Sequence, residues 1–450
     1  MKKLGCAAMD FMQELEEKDP QIYQAIVDEQ HRQETCVELI PSENNVSKAV
    51  LSALGSVFTN KYSEGYPRKR YYGGQQFVDV MEEIAIQRAK KLFGCEHVNV
   101  QPYSGSPANQ AVFFALLNLK DRFMGFSLTD GGHLTHGSPV NFSGMSYSCV
   151  SYGVDKKTEL LDMDAIRKFA LQYRPKMIIS GLTAYPRKLD FAAFQNICEE
   201  VDAYHMSDIS HIAGLVAGGA HESPVPHADV VTTTTHKSLR GPRGAIIMCK
   251  EEDRLHELYH PEQNQKDGTP KKLSQLIDSA VFPGLQGGPH DHVNAAKAVA
   301  FSEALQPEFR GYAHQIVRNA KAMAESLMDE GIKLVTGGTD NHLLLIDLRP
   351  SGLTGKGKEV QHALDEASIT TNKNTVPFEP ASPFNPSGIR LGTPAITTRG
   401  MKEPDMQVIA KGIAAVIKDV TNKKVIAQVK ADITELCRDF PLYPGMGVLK

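Results

Sequence analysis

The stretch Asp229-Val230-Val231-Thr232-Thr233-Thr234-Thr235-His236-Lys237 decides the fold, because an apolar, β-branched run here ends in a lysine. β-Branched residues favour strands, so the run predicts a buried strand that holds Lys237 at its end. A held, partly desolvated amine loses its proton more readily than a free one and can form a Schiff base. For a lone lysine, a solvated charge at a strand end is the commoner reading, so neighbouring motifs must decide.

A second predicted strand end carries an acid. In Met206-Ser207-Asp208-Ile209-Ser210-His211, Asp208 follows an apolar run upstream of Lys237. A carboxylate there can pair with a pyridinium nitrogen and keep it protonated, which a pyridoxal-phosphate enzyme requires beside its Schiff-base lysine. Taken alone, an aspartate after a strand is more often a helix cap.

The third motif is Ser104-Gly105-Ser106, which stands directly before a predicted helix. Backbone N–H groups and hydroxyls at a helix N-terminus can bind a phosphate, although Ser/Gly turns are also common simply as caps. The chain order is phosphate turn, aspartate, lysine. Each lies at a strand end of one predicted α/β sheet, where such folds bind ligands.

The surrounding sequence supports this sheet. Between about Ala49 and Leu285, long amphipathic segments alternate with short apolar runs, a pattern typical of strand and crossover-helix units around a mostly parallel sheet. A helix is predicted over Phe77–Phe93, with Gly94 as its stop. A short strand is predicted at His97–Val100, and buried strands are predicted at Met177–Ile179, Tyr204–Met206, Asp229–Thr233 and Ala245–Met248.

The pattern predicts three regions: a helix and arm over 1–48, a large domain over 49–290 and a small C-terminal α+β domain over 291–450. The arm contains a predicted helix from Asp10 to about Ala25 and a break at Cys36–Asn45.

Within the large domain, Glu251–Lys272 is polar and turn-rich, which predicts a solvated surface insertion. The small domain is predicted to contain a strand at His342–Leu348 and a helix over Glu403–Val429.

Composition excludes several classes of protein. The 450 residues are 41% hydrophobic and 23% charged, as in ordinary globular chains large enough for two domains. A net charge of −4 without a basic block argues against a nucleic-acid partner. No run approaches the roughly 20 apolar residues that cross a bilayer, and the N-terminal MKKLGCAAMDF lacks the apolar stretch of a signal peptide.

The cysteines point to a reducing compartment. The seven cysteines of the chain are far apart and form no CxxC pair, which argues against a disulfide framework and against a zinc site. We therefore expect a cytoplasmic protein without a metal. The positions are Cys6, Cys36, Cys95, Cys149, Cys198, Cys249 and Cys437.

The chain resembles the serine hydroxymethyltransferase family over about residues 36–440, with the matching stretches in order along the chain. The stretches that carry the resemblance are Asn60–Pro67 (NKYSEGYP), Arg70–Gly74 (RYYGG), Asp130–Gly137 (DGGHLTHG), TTTTHK at 232–237, Phe282–Pro289 (FPGLQGGP), Gly337–Leu343 (GGTDNHL) and Ser387–Gly400 (SGIRLGTPAITTRG). The resemblance implies the pyridoxal-phosphate-dependent fold type I, like that of aspartate aminotransferase, with a seven-stranded-type sheet that has helices on both faces.

The resemblance also implies a cofactor site for pyridoxal 5′-phosphate. Lys237 would hold it as an internal aldimine, Asp208 would pair with the ring nitrogen and His133 would stack on the ring. The other implied contacts come from His211 near the ring hydroxyl, Thr183, Thr234, His236 beside the Schiff base, the phosphate-binding Ser104, Gly105 and Ser106, and Gly287 and Gly288 from a partner subunit.

Substrate groups follow from the same resemblance. Arg390 would bind the substrate carboxylate as a bidentate pair, because a planar guanidinium suits this geometry better than a lysine does. Glu64 would be the acid/base group, contributed across a homodimer with Tyr62 and Tyr72, and Ser42 would touch the substrate. Implied folate contacts are Glu64, Leu128, Gly132, His133, Leu134, Asn374, Ser382, Pro383 and Phe384.

The implied activity is the reversible conversion of serine and tetrahydrofolate to glycine and 5,10-methylenetetrahydrofolate, a step in one-carbon metabolism and amino-acid biosynthesis. It would pass through an external aldimine and a quinonoid. Two departures from the family pattern, Thr183 for serine and Leu285 for glycine, remove no required group. Dimer and tetramer both remain open.

Two alternatives remain beside this activity. One is a folate-independent aldolase or transaldolase for threonine-like β-hydroxy amino acids, which a folate requirement for serine cleavage would separate. The other is a catalytically silent binding subunit, which predicts loss of Lys237, Asp208 or Arg390. All three residues are present.

Overall fold

The central feature is a seven-stranded sheet in the first two thirds of the chain. The structure is a computed structural model that describes residues 11–444. The strands are β1 (Val37–Glu38), β2 (Gly65–Tyr66), β3 (Lys69–Arg70), β4 (His97–Asn99), β5 (Arg122–Phe126), β6 (Ser148–Tyr152), β7 (Met177–Gly181), β8 (Tyr204–Asp208), β9 (Val230–Thr234), β10 (Ala245–Cys249), β11 (Leu343–Asp347), β12 (Ile369–Thr370), β13 (Asn372–Asn374) and β14 (Gly388–Gly392).

Helices separate most of these strands. They are α1 (Phe11–Lys18), α2 (Pro20–Thr35), α3 (Lys48–Leu54), α4 (Gln76–Phe93), α5 (Gly105–Leu116), α6 (Phe142–Ser146), α7 (Met163–Tyr173), α8 (Phe191–Glu200), α9 (Ala213–Ala217), α10 (His256–Tyr259), α11 (Leu273–Ser279), α12 (Asp291–Ala304), α13 (Pro307–Asp329), α14 (Gly357–Glu366), α15 (Pro394–Thr398), α16 (Glu403–Lys418) and α17 (Lys423–Arg438).

The main sheet has the order β4-β10-β9-β8-β7-β5-β6. Strands β9, β8, β7, β5 and β6 pair in parallel, and β10 runs antiparallel to both of its neighbours. Apolar cores lie on both faces, with Phe194 and Phe126 in one and Phe113 and Tyr204 in the other. A mostly parallel sheet buried on both faces explains why its strands read as near-continuous apolar runs.

A smaller unit follows the main sheet. Its antiparallel sheet has the order β11-β14-β13, and its own core includes Leu344, Ile389 and Ile413. The N-terminal arm joins this unit, because β1 pairs in parallel with β12. Helix α13 spans both units, since Phe309 packs in a core of the main sheet and Met323 in the core of the smaller sheet.

Several local predictions differ from the structure at helix boundaries. The arm contains two helices because Asp19 caps α2 and Pro20 begins it. Its predicted first residue, Asp10, lies outside the described residues, as do Cys6 and most of the N-terminal MKKLGCAAMDF. The single helix predicted over Glu403–Val429 is α16 and α17, separated where the Asn422 side chain caps the second helix.

The predicted insertion at Glu251–Lys272 is only partly solvated. Most of its residues are exposed, but Leu255, His256 and His260 are buried. In the described part of the chain, six cysteines are free thiols and no helix is long and apolar enough to span a membrane.

Candidate active site

One cavity gathers the three motifs. It has a volume of about 350 Å³ and opens at the carboxyl ends of the parallel strands. Its lining includes Ser42, Ser104, Gly105, Ser106, His133, Thr183, Asp208, His211, Thr234, His236, Lys237 and Arg390. Twelve residues predicted from the sequence thus meet at one place.

Asp208 is the last residue of β8 and is held by its neighbours on both carboxylate oxygens. Oδ1 accepts hydrogen bonds from the backbone N–H and hydroxyl of Ser210, at 3.0 and 2.6 Å. Oδ2 accepts from Asn109 Nδ2 at 2.9 Å and lies 3.2 Å from His136 Nε2. Burial alone would raise the pKa of Asp208, but these contacts hold it well below its usual value. The carboxylate is therefore an anion.

Lys237 follows β9 and faces the cavity, so it is partly exposed although the protein surrounds it. Desolvation lowers the pKa of Lys237 from 10.5 to about 8, while the Asp208 carboxylate acts in the opposite direction. The backbone oxygen of Lys237 accepts a hydrogen bond from Asn44 at 2.9 Å, which fixes the chain at this residue. A large share of this amine is neutral just above neutral pH, as a Schiff-base lysine requires.

The turn before α5 has the geometry of a phosphate site. Ser104 is the N-cap of α5, yet its side chain makes no capping hydrogen bond, so its hydroxyl remains available to a ligand. A β-carbon added at Gly105 would lie 2.8 Å from Thr234 Cγ2, so only glycine fits between the turn and β9. These features, with Lys237 and an anionic Asp208 in the same cavity, fit a pyridoxal phosphate.

Arg390 lies on β14 and reaches the cavity from the smaller unit. Its Nε donates to Asn372 Oδ1 at 3.1 Å and its Nη1 to the backbone oxygen of Thr183 at 2.8 Å. No carboxylate of the described chain lies within salt-bridge distance, and desolvation lowers the pKa of Arg390 to about 10. A buried, unpaired guanidinium is costly, which favours an anionic ligand such as a substrate carboxylate.

The cavity histidines are neutral. Burial, with the nearby positive charge of Lys237, lowers the pKa of His236 to about 3 and that of His211 well below its usual value. Burial lowers the pKa of His133 to about 4, and the charge interaction with His136 acts in the same direction. Near neutral pH, a neutral ring can stack on a cofactor, and it can donate one hydrogen bond and accept another.

A second group of predicted residues lies outside this cavity. The hydroxyl of Tyr62 donates to Glu64 Oε1 at 3.2 Å, and Tyr72 packs edge-on against Tyr62. A β-carbon at Gly287 would lie 3.1 Å from the same oxygen of Glu64, and Gly288 approaches the ring of Tyr62. Within one chain, these five residues form a Glu64 cluster that does not line the Lys237 cavity.

The predicted folate residues also lie outside the cavity lining, His133 excepted. Leu128, Leu134 and Phe384 are exposed. The two loops that carry them meet where Thr375 Oγ1 donates to the backbone oxygen of Thr129 at 3.4 Å. The remaining members of the set are Gly132, Asn374, Ser382 and Pro383.

Sequence reasoning missed several residues of the site. Asn109 and His136 both contact the Asp208 carboxylate, and Glu43, Leu182 and Arg243 line the cavity. Asn109 lies one helical turn after Ser104–Ser106, and His136 lies three residues after His133. Asn109 thus follows the phosphate turn and His136 lies within the quoted stretch Asp130–Gly137, and that proximity was the available signal.

Known proteins of one family are similar to this chain over most of its length. The family model described as serine hydroxymethyltransferase matches residues 15–413. A serine hydroxymethyltransferase from Paracoccus denitrificans is 57% identical over 442 residues, covering 97% of this chain and 99% of the relative. One from Legionella pneumophila is 56% identical over 425 residues, covering 94% of this chain and 97% of the relative.

Proposed function

The chain belongs to the serine hydroxymethyltransferase family, and from that membership we propose how its residues carry out the reaction. The chain is a one-carbon transferase enzyme. It moves the hydroxymethyl carbon of serine to tetrahydrofolate, which leaves glycine, forms 5,10-methylenetetrahydrofolate and releases water. The observation that carries the proposal is the meeting of Lys237, the anionic Asp208 and the unpaired Arg390 in one cavity.

We propose pyridoxal 5′-phosphate as the cofactor. When bound, it supplies a Schiff base to the amino acid and a protonated ring that accepts electrons from the breaking Cα–Cβ bond. Lys237 would hold it covalently, and Asp208 would keep its ring nitrogen protonated. The N-terminus of α5, with Ser104, Gly105 and Ser106, would bind its phosphate.

Arg390 would orient the amino acid. Its guanidinium already has two neutral acceptors, Asn372 and the backbone of Thr183, which hold the planar group in place without neutralising it. The substrate carboxylate would then find a fixed donor pair, and this fixes which bond at Cα aligns with the cofactor ring. Ser42, from the arm, lies on the same cavity wall.

The acid/base role would belong to Glu64, from a second copy of the chain. The Glu64 cluster does not line its own chain's cavity, whereas a carboxyl within reach of the substrate hydroxyl is needed for proton transfer. Gly287 and Gly288 lie beside Glu64, so the same second copy would bring their backbone to the phosphate.

The surface beside the Glu64 cluster suits such a partner. A β-carbon at Gly284 would touch the exposed ring of Phe114, and Tyr71 is exposed beside Phe282. Val57 and Phe77 expose 78% and 72% of their surface in one chain. Contiguous exposed apolar surface marks protein–protein contacts, and the neighbouring Phe282 and Gly284 bring Tyr71 and Phe114 close together. We therefore propose a homodimer with shared sites.

Folate would bind at the rim formed by the loops that carry Leu128, Leu134 and Phe384, where apolar side chains are exposed. The pterin would thus meet His133 and the Glu64 of the second copy. The free thiols of the described residues fit a reducing cytoplasm, which we propose as the location of the enzyme.

Glycine formation from serine, measured with and without tetrahydrofolate, tests this function. We expect turnover that depends on tetrahydrofolate and that falls by about 10³-fold or more in Lys237→Ala, which removes the amine. Rapid cleavage of serine without folate would favour the aldolase alternative. Equal turnover in Lys237→Ala would contradict the assignment of the lysine.

A further inference from the structure

A buried histidine pair joins the two units behind the cavity. His342 immediately precedes β11 in the smaller unit and is fully buried. Its Nε2 lies 3.3 Å from Nδ1 of His211, a residue of the cavity wall. One proton must therefore lie between these two nitrogens, and which ring carries it determines the tautomer of the other ring.

Both rings are neutral. Burial lowers the pKa of His342 to about 3, and the positive charges of Arg390 and Lys237 act in the same direction. Burial also lowers the pKa of His211, and the positive charges of Lys237 and Arg390 lower it further. Each neutral ring has one N–H and one bare nitrogen, so only two arrangements of the pair are possible.

The second nitrogen of His342 decides between them. Nδ1 of His342 is buried and has no hydrogen-bond partner in the described chain. If His211 donated to His342, the proton of His342 would occupy that Nδ1, as a buried N–H without an acceptor. If His342 donates from Nε2, only a bare lone pair is left there. Orphaned buried N–H groups are the rarer and costlier case.

We propose that His342 is a positioning residue that donates to His211 Nδ1 and thereby fixes the His211 proton on Nε2. That nitrogen is the one left to the cavity, so His211 acts there as a hydrogen-bond donor toward an anionic oxygen. Only the identity of that oxygen, the ring oxygen of the cofactor, rests on the proposed function.

The donor direction has a chemical consequence. An N–H at this position stabilises a negative ring oxygen, whereas a bare nitrogen would repel it. His342 does not line the cavity and acts only through the ring of His211. Its substitution should therefore change the protonation behaviour of the bound cofactor before it changes affinity for serine.

Nuclear magnetic resonance on protein with ¹⁵N-labelled histidine tests the tautomer directly, and it needs no cofactor. Long-range ¹H–¹⁵N correlations distinguish the two ring nitrogens, and His211→Asn identifies the signals. We expect the His211 proton on Nε2. A His211 proton on Nδ1 would overturn the proposal, whether or not the protein binds pyridoxal phosphate.

Two variants of His342 test the same proposal through the pH dependence of the cofactor's visible absorbance. In His342→Phe the donor is gone, and we expect the pH midpoint of the visible absorbance of the bound cofactor to rise by roughly half a unit to one unit. His342→Gln keeps an N–H donor and should restore most of the wild-type midpoint. An unchanged midpoint in His342→Phe would overturn the proposal.

His256→Phe is the matched control, because His256 is also buried with an unpartnered Nδ1 but lies outside the cavity. We expect it to leave both the His211 signals and the midpoint unchanged. The same shift in both phenylalanine variants would mean a general loss of packing and would overturn the role of His342. A protein without visible absorbance would contradict the cofactor, while the tautomer measurement would still decide this inference.

Discussion

Arg390 Nη1 donates to the backbone oxygen of Thr183 at 2.8 Å, which ties β14 of the smaller sheet to the segment after β7 of the main sheet. The guanidinium that we propose to bind the substrate carboxylate is thus held by the segment that borders the proposed cofactor position. Any movement of one unit relative to the other would displace Arg390 from the cavity. This contact is the basis of the first two predictions.

Arg390→Lys should weaken serine binding more than it affects folding. Lysine keeps the charge but lacks the planar fork with which arginine reaches Asn372, Thr183 and a carboxylate from separate nitrogens, so we expect kcat/KM for serine to fall by about 10²-fold or more. Steady-state kinetics over serine concentration checks this. Arg167→Lys, at an exposed ion pair, is the control and should have wild-type kinetics. An unchanged KM for serine in Arg390→Lys would contradict the role of Arg390.

Thr183→Ser should be nearly neutral. Arg390 contacts the backbone of residue 183, and serine keeps the hydroxyl while it removes one methyl group. We expect kcat/KM to change by less than about 10-fold, which is below the roughly 10- to 200-fold that one methylene group is worth in a tight apolar pocket. The ratio of folate-dependent serine cleavage to folate-independent cleavage of a threonine-like substrate is the sensitive measurement. A loss of activity of more than about 10-fold would mean that the methyl group has a specific role.

Asp208→Asn should impair catalysis while leaving the fold intact, because asparagine keeps the size of the side chain but removes the charge that we propose to pair with the ring nitrogen of the cofactor. We expect kcat to fall by about 10²-fold or more. Asn109→Ala, which removes one of the donors to Asp208, should cost less. Comparable losses in the two variants would show that the charge of Asp208 is not the important property.

Cofactor uptake by cofactor-free protein should depend on pH through Lys237. With a pKa of about 8, the neutral fraction of this amine rises about tenfold between pH 7 and 9 and then levels off. The pKa of Lys237 is about 8 in the folded chain and about 10.5 in the unfolded chain. Between pH 8 and 10.5 the unfolded chain therefore binds more protons at this residue than the folded chain does. The stability of the cofactor-free protein should therefore gain a contribution as pH rises from about 8 to 10.5. Stopped-flow absorbance after mixing with pyridoxal phosphate measures the uptake, and a rate that does not change with pH would contradict the assignment.

Mixed dimers test whether sites are shared. Lys237→Ala and Glu64→Gln are each expected to be inactive, but a dimer of one copy of each contains one site with both groups intact. Unfolding and refolding an equal mixture should restore about a quarter of wild-type activity, since half of the dimers are mixed and each has one competent site. No recovery in refolded mixed dimers, isolated by two affinity tags, would place Glu64 and Lys237 in the same chain's site.

Much of the main sheet could be predicted because its strands are buried on both faces. Residues 177–179 and 245–248 are uninterrupted apolar runs, and 204–206 is interrupted only by His205. Each of the three is part of an observed strand. Strand β6 was missed because it is an edge strand with polar, partly exposed residues, and β5 because it begins with an exposed arginine and contains a glycine.

Some residues of the candidate site could be predicted from the sequence, and others could not. Residues at strand ends, such as Asp208 and Lys237, could be identified because strand and chemistry coincide in the sequence. Asn109 and His342 could not, because their importance comes from a contact with one distant residue each, Asp208 and His211. The separation of the Glu64 cluster from the cavity also depends on three-dimensional folding, which no local pattern contains.

The absorbance spectrum of the purified protein, taken alone, with glycine, and with glycine plus tetrahydrofolate, tests the central claim most directly. We expect a band near the visible edge that belongs to the bound cofactor, and a red-shifted band with glycine that grows strongly only when tetrahydrofolate is added. A glycine complex that ignores folate would contradict the hydroxymethyltransferase assignment in favour of an aldolase, and a colourless protein that cannot bind pyridoxal phosphate would contradict both.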